Sequence, residues 1–241
     1  MTRRSPGAGL TKPPGRPLAG RPRPSSSLAL FADIRDSRRF EGAARATLQQ
    51  RFTALVRRLN TRFAQDVLAP FQISRGDELQ GLIQNPGVVP EIIWHLELWF
   101  READLYVGLG FGRIDTPVRG SVLEMDGPAL HRARAAIEAA AAEARFGGVF
   151  LGFGPLEDDL VNGLARLLRR QREGWSERQR QVVALLREGL TQTAIAAKLA
   201  LTKQAISAHA RAAGWNSYAE GERAFVEGLA GFATPTPGSR T

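Results

Sequence analysis

Two sets of side chains in this sequence could do chemistry. The first is acidic. Asp33 closes a short apolar run at residues 28–32, and Asp36 follows it. Asp77 stands in Arg75-Gly76-Asp77, with Glu78 beside it. If the two segments are neighbouring strands, Asp33 and Asp77 meet at one edge of a sheet. Two carboxylates at adjoining strand ends can hold Mg2+ or Mn2+, and the cation can hold phosphates. Glycine at the hairpin would let a ligand come close. The plainer role for Asp33, Asp36 and Asp77 is turn capping. The second set is basic and polar, between Gln192 and Arg211. On a helix over residues 202–213 the outward residues are Lys203, Gln204, Ser207, Ala208 and Arg211. Gln204 could pair bidentately with adenine, and Lys203 or Arg211 could reach guanine or phosphate. Thr202 would cap that helix, and its amide end could sit on a phosphate. Gln192 and Thr193 open the preceding helix and are phosphate candidates. The alternative is a helical protein-interaction domain.

Composition narrows the chemistry. The 241 residues include no cysteine and three histidines, His95, His131 and His209, far apart in sequence. Disulfides, thiolate zinc sites and cysteine nucleophiles are thereby excluded, and a metal would need carboxylates. Of the net charge of +9, residues 1–27 carry six Lys/Arg and no acid, and residues 161–241 carry twelve against six, which leaves residues 28–160 acidic. Basic ends attract polyanions, nucleic acid above all. No run of 18 apolar residues exists, so no membrane span is expected. The start of the chain is basic and Pro-rich, without the apolar core of a signal peptide. A cytoplasmic location is expected.

The elements that must position these groups follow from pattern. Residues 1–27 (Arg, Pro, Gly, Ser) read as a disordered basic tail, as do residues 233–241. Residues 28–32 read as a buried strand, and residues 42–63 as an amphipathic helix carrying Leu48, Phe52, Leu55, Val56 and Leu59. Residues 71–74 and 78–83 flank a glycine as a hairpin. Residues 89–102 predict a helix whose Trp94 and Trp99 belong to the core, residues 105–114 a strand, 127–144 an Ala-rich helix and 148–153 a strand. Arg113 and Arg119 could bind phosphate or be solvated. The order β-α-β-β-α-β-α-β predicts an α+β fold, a ferredoxin-like α/β sandwich over residues 28–155. Residues 156–174 predict a linker helix with a stripe at Leu160, Val161, Leu164, Leu167 and Leu168, expected to act as a relay and as part of a dimer interface.

Residues 175–232 predict an all-α helix-turn-helix domain. Ser176-Glu177-Arg178-Gln179 fits a capping box. Val182, Val183, Leu185 and Leu186 form an apolar stripe, and Gly189 stops the helix. A second helix over residues 191–199, a turn at Ala200-Leu201 and a third helix over 202–213 follow. Ala196 is small where two backbones would cross; Ile195, Leu199, Leu201 and Ile206 would anchor them. His209 is expected to pack rather than read bases.

The stretch LLREGLTQTAIAAKLALTKQAISAHA resembles the LuxR-type and sigma-factor region 4 helix-turn-helix families. FADIRDSRRF, SRGDELQGLI, YVGLGFGRIDTPVRGSV and MDGPALHRARAAIEAA resemble, in order, the first strand, hairpin, later strand and loop, and helix of class III nucleotidyl cyclases, and more loosely of diguanylate cyclases. A closer resemblance, over about residues 28–215, is to the SatD family of bacterial proteins, with its Asp-Ile-x-Asp-Ser start and Gly-Asp-Glu hairpin. The cyclase resemblance implies a nucleotidyl cyclase-like fold. It implies that Asp33 and Asp77 hold Mg2+ or Mn2+, and that Arg75 stands where some cyclases select the base. It also puts Ala129 and Ala133 where cyclases carry an Asn and an Arg that steady the transition state. Arg132 and Arg134 flank the second position and, with Arg75, are the nucleotide-binding candidates. The expectation is a DNA-binding transcription regulator, a homodimer reading two half-sites of double-stranded DNA, whose cyclase-like domain senses a nucleotide or metal-nucleotide. A Mg-dependent cyclase or nucleotide-processing enzyme with an accessory helix-turn-helix is the alternative, and a dimerisation scaffold the third.

Overall fold

The computed structural model describes residues 26–232 except 75, 119, 145 and 146. Both tails, Arg75 and Arg119 therefore lie outside the described residues. The rest is an α+β chain. Its strands are β1 (Ser27–Ile34), β2 (Val67–Ser74), β3 (Glu78–Ile83), β4 (Leu105–Gly112) and β5 (Val149–Leu151). Its α-helices are α1 (Gly42–Arg62), α2 (Val89–Trp99), α3 (Pro128–Ala142), α4 (Pro155–Glu173), α5 (Glu177–Arg187), α6 (Gln192–Leu199), α7 (Lys203–Ala212) and α8 (Trp215–Phe232). The described residues fall into two units, one of residues 26–169 with 221–232, the other of residues 170–220.

The first unit is built on one mixed sheet in the order β2-β3-β1-β4-β5. β1 lies antiparallel between β3 and β4, and β5 runs parallel to β4. Central placement explains the near-continuous apolar sequence of β1, since residues 27–32 are all buried. Side chains alternate across the strand. Ala29 and Phe31 pack with Ala129, Ala133 and Ile137 of α3. Leu28, Leu30 and Ala32 are buried on the opposite face. Leu48, Phe52, Leu55 and Leu59 of α1 and Ile92, Ile93 and Leu96 of α2 are also buried, and Phe52 meets Phe100 edge-on at 5.4 Å. Trp94 is buried as expected, while Trp99 is half-buried, with His95 stacked on it at 4.0 Å and Arg58 over it at 4.2 Å.

α3 comes unusually close to β4. A Cβ built on Gly108 would lie 2.3 Å from the Ile137 nitrogen, and one on Gly110 would lie 2.1 Å from the Ala129 carbonyl oxygen and 2.2 Å from the Ala133 nitrogen. Glycine on the strand and alanine on the helix make this contact possible, because backbone meets backbone. The Ala-rich character of α3 is thus a packing requirement.

Residues 221–232 of α8 belong to the first unit. There Phe225 meets Phe150 at 5.4 Å and Phe232 meets Phe153 at 4.8 Å. The apolar spacing of Phe225, Leu229 and Phe232 carries no information about which partner it will find.

The second unit has its own core of Val182, Leu185, Ile195, Ala196, Ile206 and Ala210. Ser176 and Gln179 form the reciprocal capping box at α5. Gly189 has a positive φ of 82°, and the Leu190 N–H donates to the Leu185 carbonyl at 3.1 Å, which ends the helix. Ala200 adopts the left-handed conformation between α6 and α7, a position that favours glycine. Trp175 anchors the first turn, donating from Nε1 to the Ala213 carbonyl at 2.8 Å.

Substitutions at two glycines should separate close approach from free space. Gly110→Ala should lower unfolding free energy by about 2–3 kcal/mol, because α3 backbone must move. Gly228→Ala in α8, where a Cβ meets nothing within 4 Å, should raise it by about 0.5–1 kcal/mol. Urea titration of both variants checks this; equal effects would mean that the α3 contact yields freely.

Candidate functional site

The acidic corner is assembled by strand register. Asp33 lies opposite Glu78 of β3 on one side and Tyr106 of β4 on the other. Paired residues in an antiparallel ladder share a face, so Asp33 and Glu78 project on the side of Phe31 and Gln80, which α3 covers. Asp77 immediately precedes β3. Its carbonyl accepts the Ile34 N–H at 3.3 Å, and its carboxylate accepts the Ser37 hydroxyl at 2.6 Å. The turn after β1 is thereby tied to the hairpin that carries Asp77.

Glu78 is buried, and its charge is balanced. Arg134 of α3 reaches across the Phe31 ring, 4.8 Å from its centroid, and donates to both carboxylate oxygens, with 2.8 Å from Nη2 to Oε1. Gln80 Nε2 donates to the same Oε1 at 2.5 Å. This hydrogen bonding raises the pKa of Arg134 above its ordinary value. Bidentate pairing of this kind is geometrically specific.

Asp33 is in the opposite situation. It is half-buried, and its pKa is pushed up to about 6, chiefly by loss of solvent, then by the charge of Asp77, then by that of Glu78. A backbone hydrogen bond from Ile34 and the charge of Arg134 oppose the rise without cancelling it. The site therefore holds negative charge that a cation would relieve. Among the described residues no group of three or more acidic or histidine side chains is arranged to hold a metal. Two carboxylates with oxygen donors nonetheless suit Mg2+ or Mn2+, which keep several waters or phosphate oxygens as their remaining ligands. Asp33 and Asp77 are the residues that could hold such an ion.

The other predicted residues are distributed differently. Arg134 joins Asp33 and Asp77 in one electrostatic cluster but is engaged by Glu78. Arg132, two residues earlier on α3, donates to the Phe111 carbonyl at 2.7 Å. Phe111 lies five residues along β4 from Tyr106, about 17 Å at strand rise, so Arg132 sits apart from Asp33. Asp36 has a left-handed backbone and is exposed, within 3.3 Å of Arg35 and 3.7 Å of Arg39, as befits a turn residue. Arg113 pairs with Asp115 at 2.6 Å on the surface. Reading from the sequence missed the roles of Glu78, Gln80 and Ser37. The signal for the first two was present: Glu78 and Gln80 put two polar side chains on one face of an otherwise apolar strand.

The basic and polar candidates of the second unit lie on α6 and α7. Thr202 Oγ1 accepts the Ala205 N–H at 3.1 Å and caps α7, as Thr191 caps α6 through the Ala194 N–H at 3.2 Å. Lys203, Gln204, Ala208 and Arg211 are exposed and Ser207 is half-buried. At about 100° per residue these five span about 140° of α7, and the buried Ile206 and Ala210 lie outside that arc. Thr193 is exposed and Gln192 half-buried at the start of α6. His209 is half-buried, between the two faces.

The raised pKa of Asp33 makes stability depend on pH. The folded chain binds more protons than the unfolded one between about pH 4 and pH 6, so this group's contribution falls as pH rises through that window. Partial exposure limits the loss to about 1 kcal/mol. Asp33→Asn should therefore unfold at higher urea than the wild type at pH 7.5, and the gap should close towards pH 4. A variant less stable at pH 7.5 would mean that partners support the carboxylate rather than oppose it.

The model of the SatD family matches residues 27–227, a span that takes in both the acidic corner and the basic face. A search of curated proteins finds no match. The match covers most of the sequence, and the chain belongs to the SatD family.

Proposed function

We propose that this protein is a DNA-binding transcription regulator in which α5, α6 and α7 form a helix-turn-helix and α7 is the helix that enters the major groove. The observation that carries this reading is the exposed face of α7. It presents Lys203, Gln204 and Arg211 and no acid, on a helix capped by Thr202 and anchored in the core by Ile206 and Ala210. Basic groups supply phosphate affinity, and Gln and Arg supply base-edge contacts. One small module binds weakly, so two copies would read two half-sites. The test is fluorescence anisotropy with duplexes enriched from a random pool, titrated with salt. Lys203→Ala with Arg211→Ala should weaken binding by about tenfold or more and reduce the log–log salt slope by about 1–2. Unchanged affinity and slope would remove α7 from the interface.

A second reading concerns the first unit. Its strand order and its antiparallel β2-β3-β1-β4 set suit a ferredoxin-like, nucleotidyl cyclase-like domain. We infer that Asp33 and Asp77 bind a divalent cation carrying a nucleotide. The uncompensated charge around Asp33 favours this. Sensing is favoured over turnover. Ala129 and Ala133 are buried against the β4 glycines, Arg134 is engaged by Glu78, and Arg132 by a backbone carbonyl. Charge stabilisers that are missing or otherwise committed typically cost orders of magnitude in rate. Mn2+ with a nucleoside triphosphate should raise the unfolding temperature of the wild type but not of Asp33→Asn, and chromatography should detect no product. A cyclic or shortened nucleotide lost in Asp33→Asn would make this an enzyme instead.

A further inference from the structure

Helix α4 carries two apolar faces and uses one. Val161, Ala165 and Leu168, spaced four and three apart, are buried. On the other side Leu156, Leu160 and Leu167 are 67%, 64% and 69% exposed, and a Cβ on Gly163 would meet nothing within 4 Å. Leu156, Leu160, Gly163 and Leu167 follow a 4-3-4 spacing, which is the seam of a two-helix coiled coil. Three exposed leucines in one line mark an interaction surface rather than scattered surface residues.

The charges beside that seam indicate the occupant. The first turn of α4 is acidic and the last basic. Asp158 is used locally, accepting the N–H groups of Gly152 and Phe153 at 2.9 and 2.8 Å. Arg169 pairs with Glu97 at 3.0 Å, and Arg170 with Glu173 at 3.4 Å. Asp159 and Arg166 are both exposed and lie seven residues apart, along the same edge of the seam. In an antiparallel pair of identical helices these edge positions face each other across the two-fold axis.

We propose that α4 is a self-association surface that pairs antiparallel with α4 of a second copy of this chain. Leu156 packs on Leu167 of the second copy, Leu160 fills the space left by its Gly163, and Asp159 pairs with its Arg166, each contact occurring twice. The seam is isologous, as closed dimers require. The inference stands on α4 alone and is independent of whether α7 binds DNA.

The experiment is a charge swap read by sedimentation equilibrium of the full chain. The wild type should show a species of twice the 26.3 kDa chain mass. Asp159→Arg alone puts Arg opposite Arg, and Arg166→Asp alone puts Asp opposite Asp. Each should weaken self-association by at least about tenfold. Mixing the two variants should restore a heterodimer, because both pairs become complementary. Leu160→Glu should abolish association in either background. A wild type that stays monomeric throughout a dilution series overturns the proposal. So does a dimer indifferent to the swaps, which would place the interface elsewhere or make it parallel. So does a seam protected from hydrogen exchange in a monomer only while residues 1–25 are attached, which would make the chain's own start the occupant.

Discussion

The contact between the α3 backbone and β4 governs the first unit. Gly108 and Gly110 offer no side chain, Ala129 and Ala133 offer almost none, and the helix settles onto the sheet at backbone distance. That closeness lets Arg134 lie across Phe31 and grip Glu78 with two hydrogen bonds. A larger residue on either side would lift the helix and draw the guanidinium away. Glu78 would then be a buried carboxylate without its counter-charge, a costly state in a low-dielectric setting.

Once Arg134 is spent on Glu78, Asp33 is left partly desolvated among like charges. The contrast between the neighbouring acids is electrostatic in origin. Glu78 has a bidentate partner, Asp77 has the Ser37 hydroxyl, and Asp33 has one backbone hydrogen bond against two carboxylates. Groups with strongly opposed environments cluster where ligands bind, because the ligand supplies what the protein withholds. The proposed divalent cation would relieve the repulsion between Asp33 and Asp77.

The second unit depends on local backbone chemistry. Reciprocal capping by Ser176 and Gln179, the Gly189 stop and the threonine caps at 191 and 202 set where each helix begins and ends. Which residues of α7 face outward is set by the burial of Ile206 and Ala210 in the core. Ala200 in a left-handed conformation is the one local strain in the turn, of about 1 kcal/mol, and the Leu201 N–H bond to Ala196 helps hold it.

What the sequence determined alone was whatever is encoded within a few residues. The alternation of strand and helix, the buried character of β1, the amphipathic face of α1, the capping box and the helix stop were all legible, because periodicity and caps act through near neighbours. Tertiary structure decided the rest. Asp33 and Asp77 came together only because β1 and β3 are adjacent in the sheet. Arg134, legible as a loose cation near a candidate site, proved to be held by a carboxylate 56 positions away. The second half of α8 returned to the first unit, and the apolar stripe expected on α4 split into one buried face and one exposed face. In each case the side chain's chemistry was visible in the sequence, while its partner was set by long-range packing that no local pattern records.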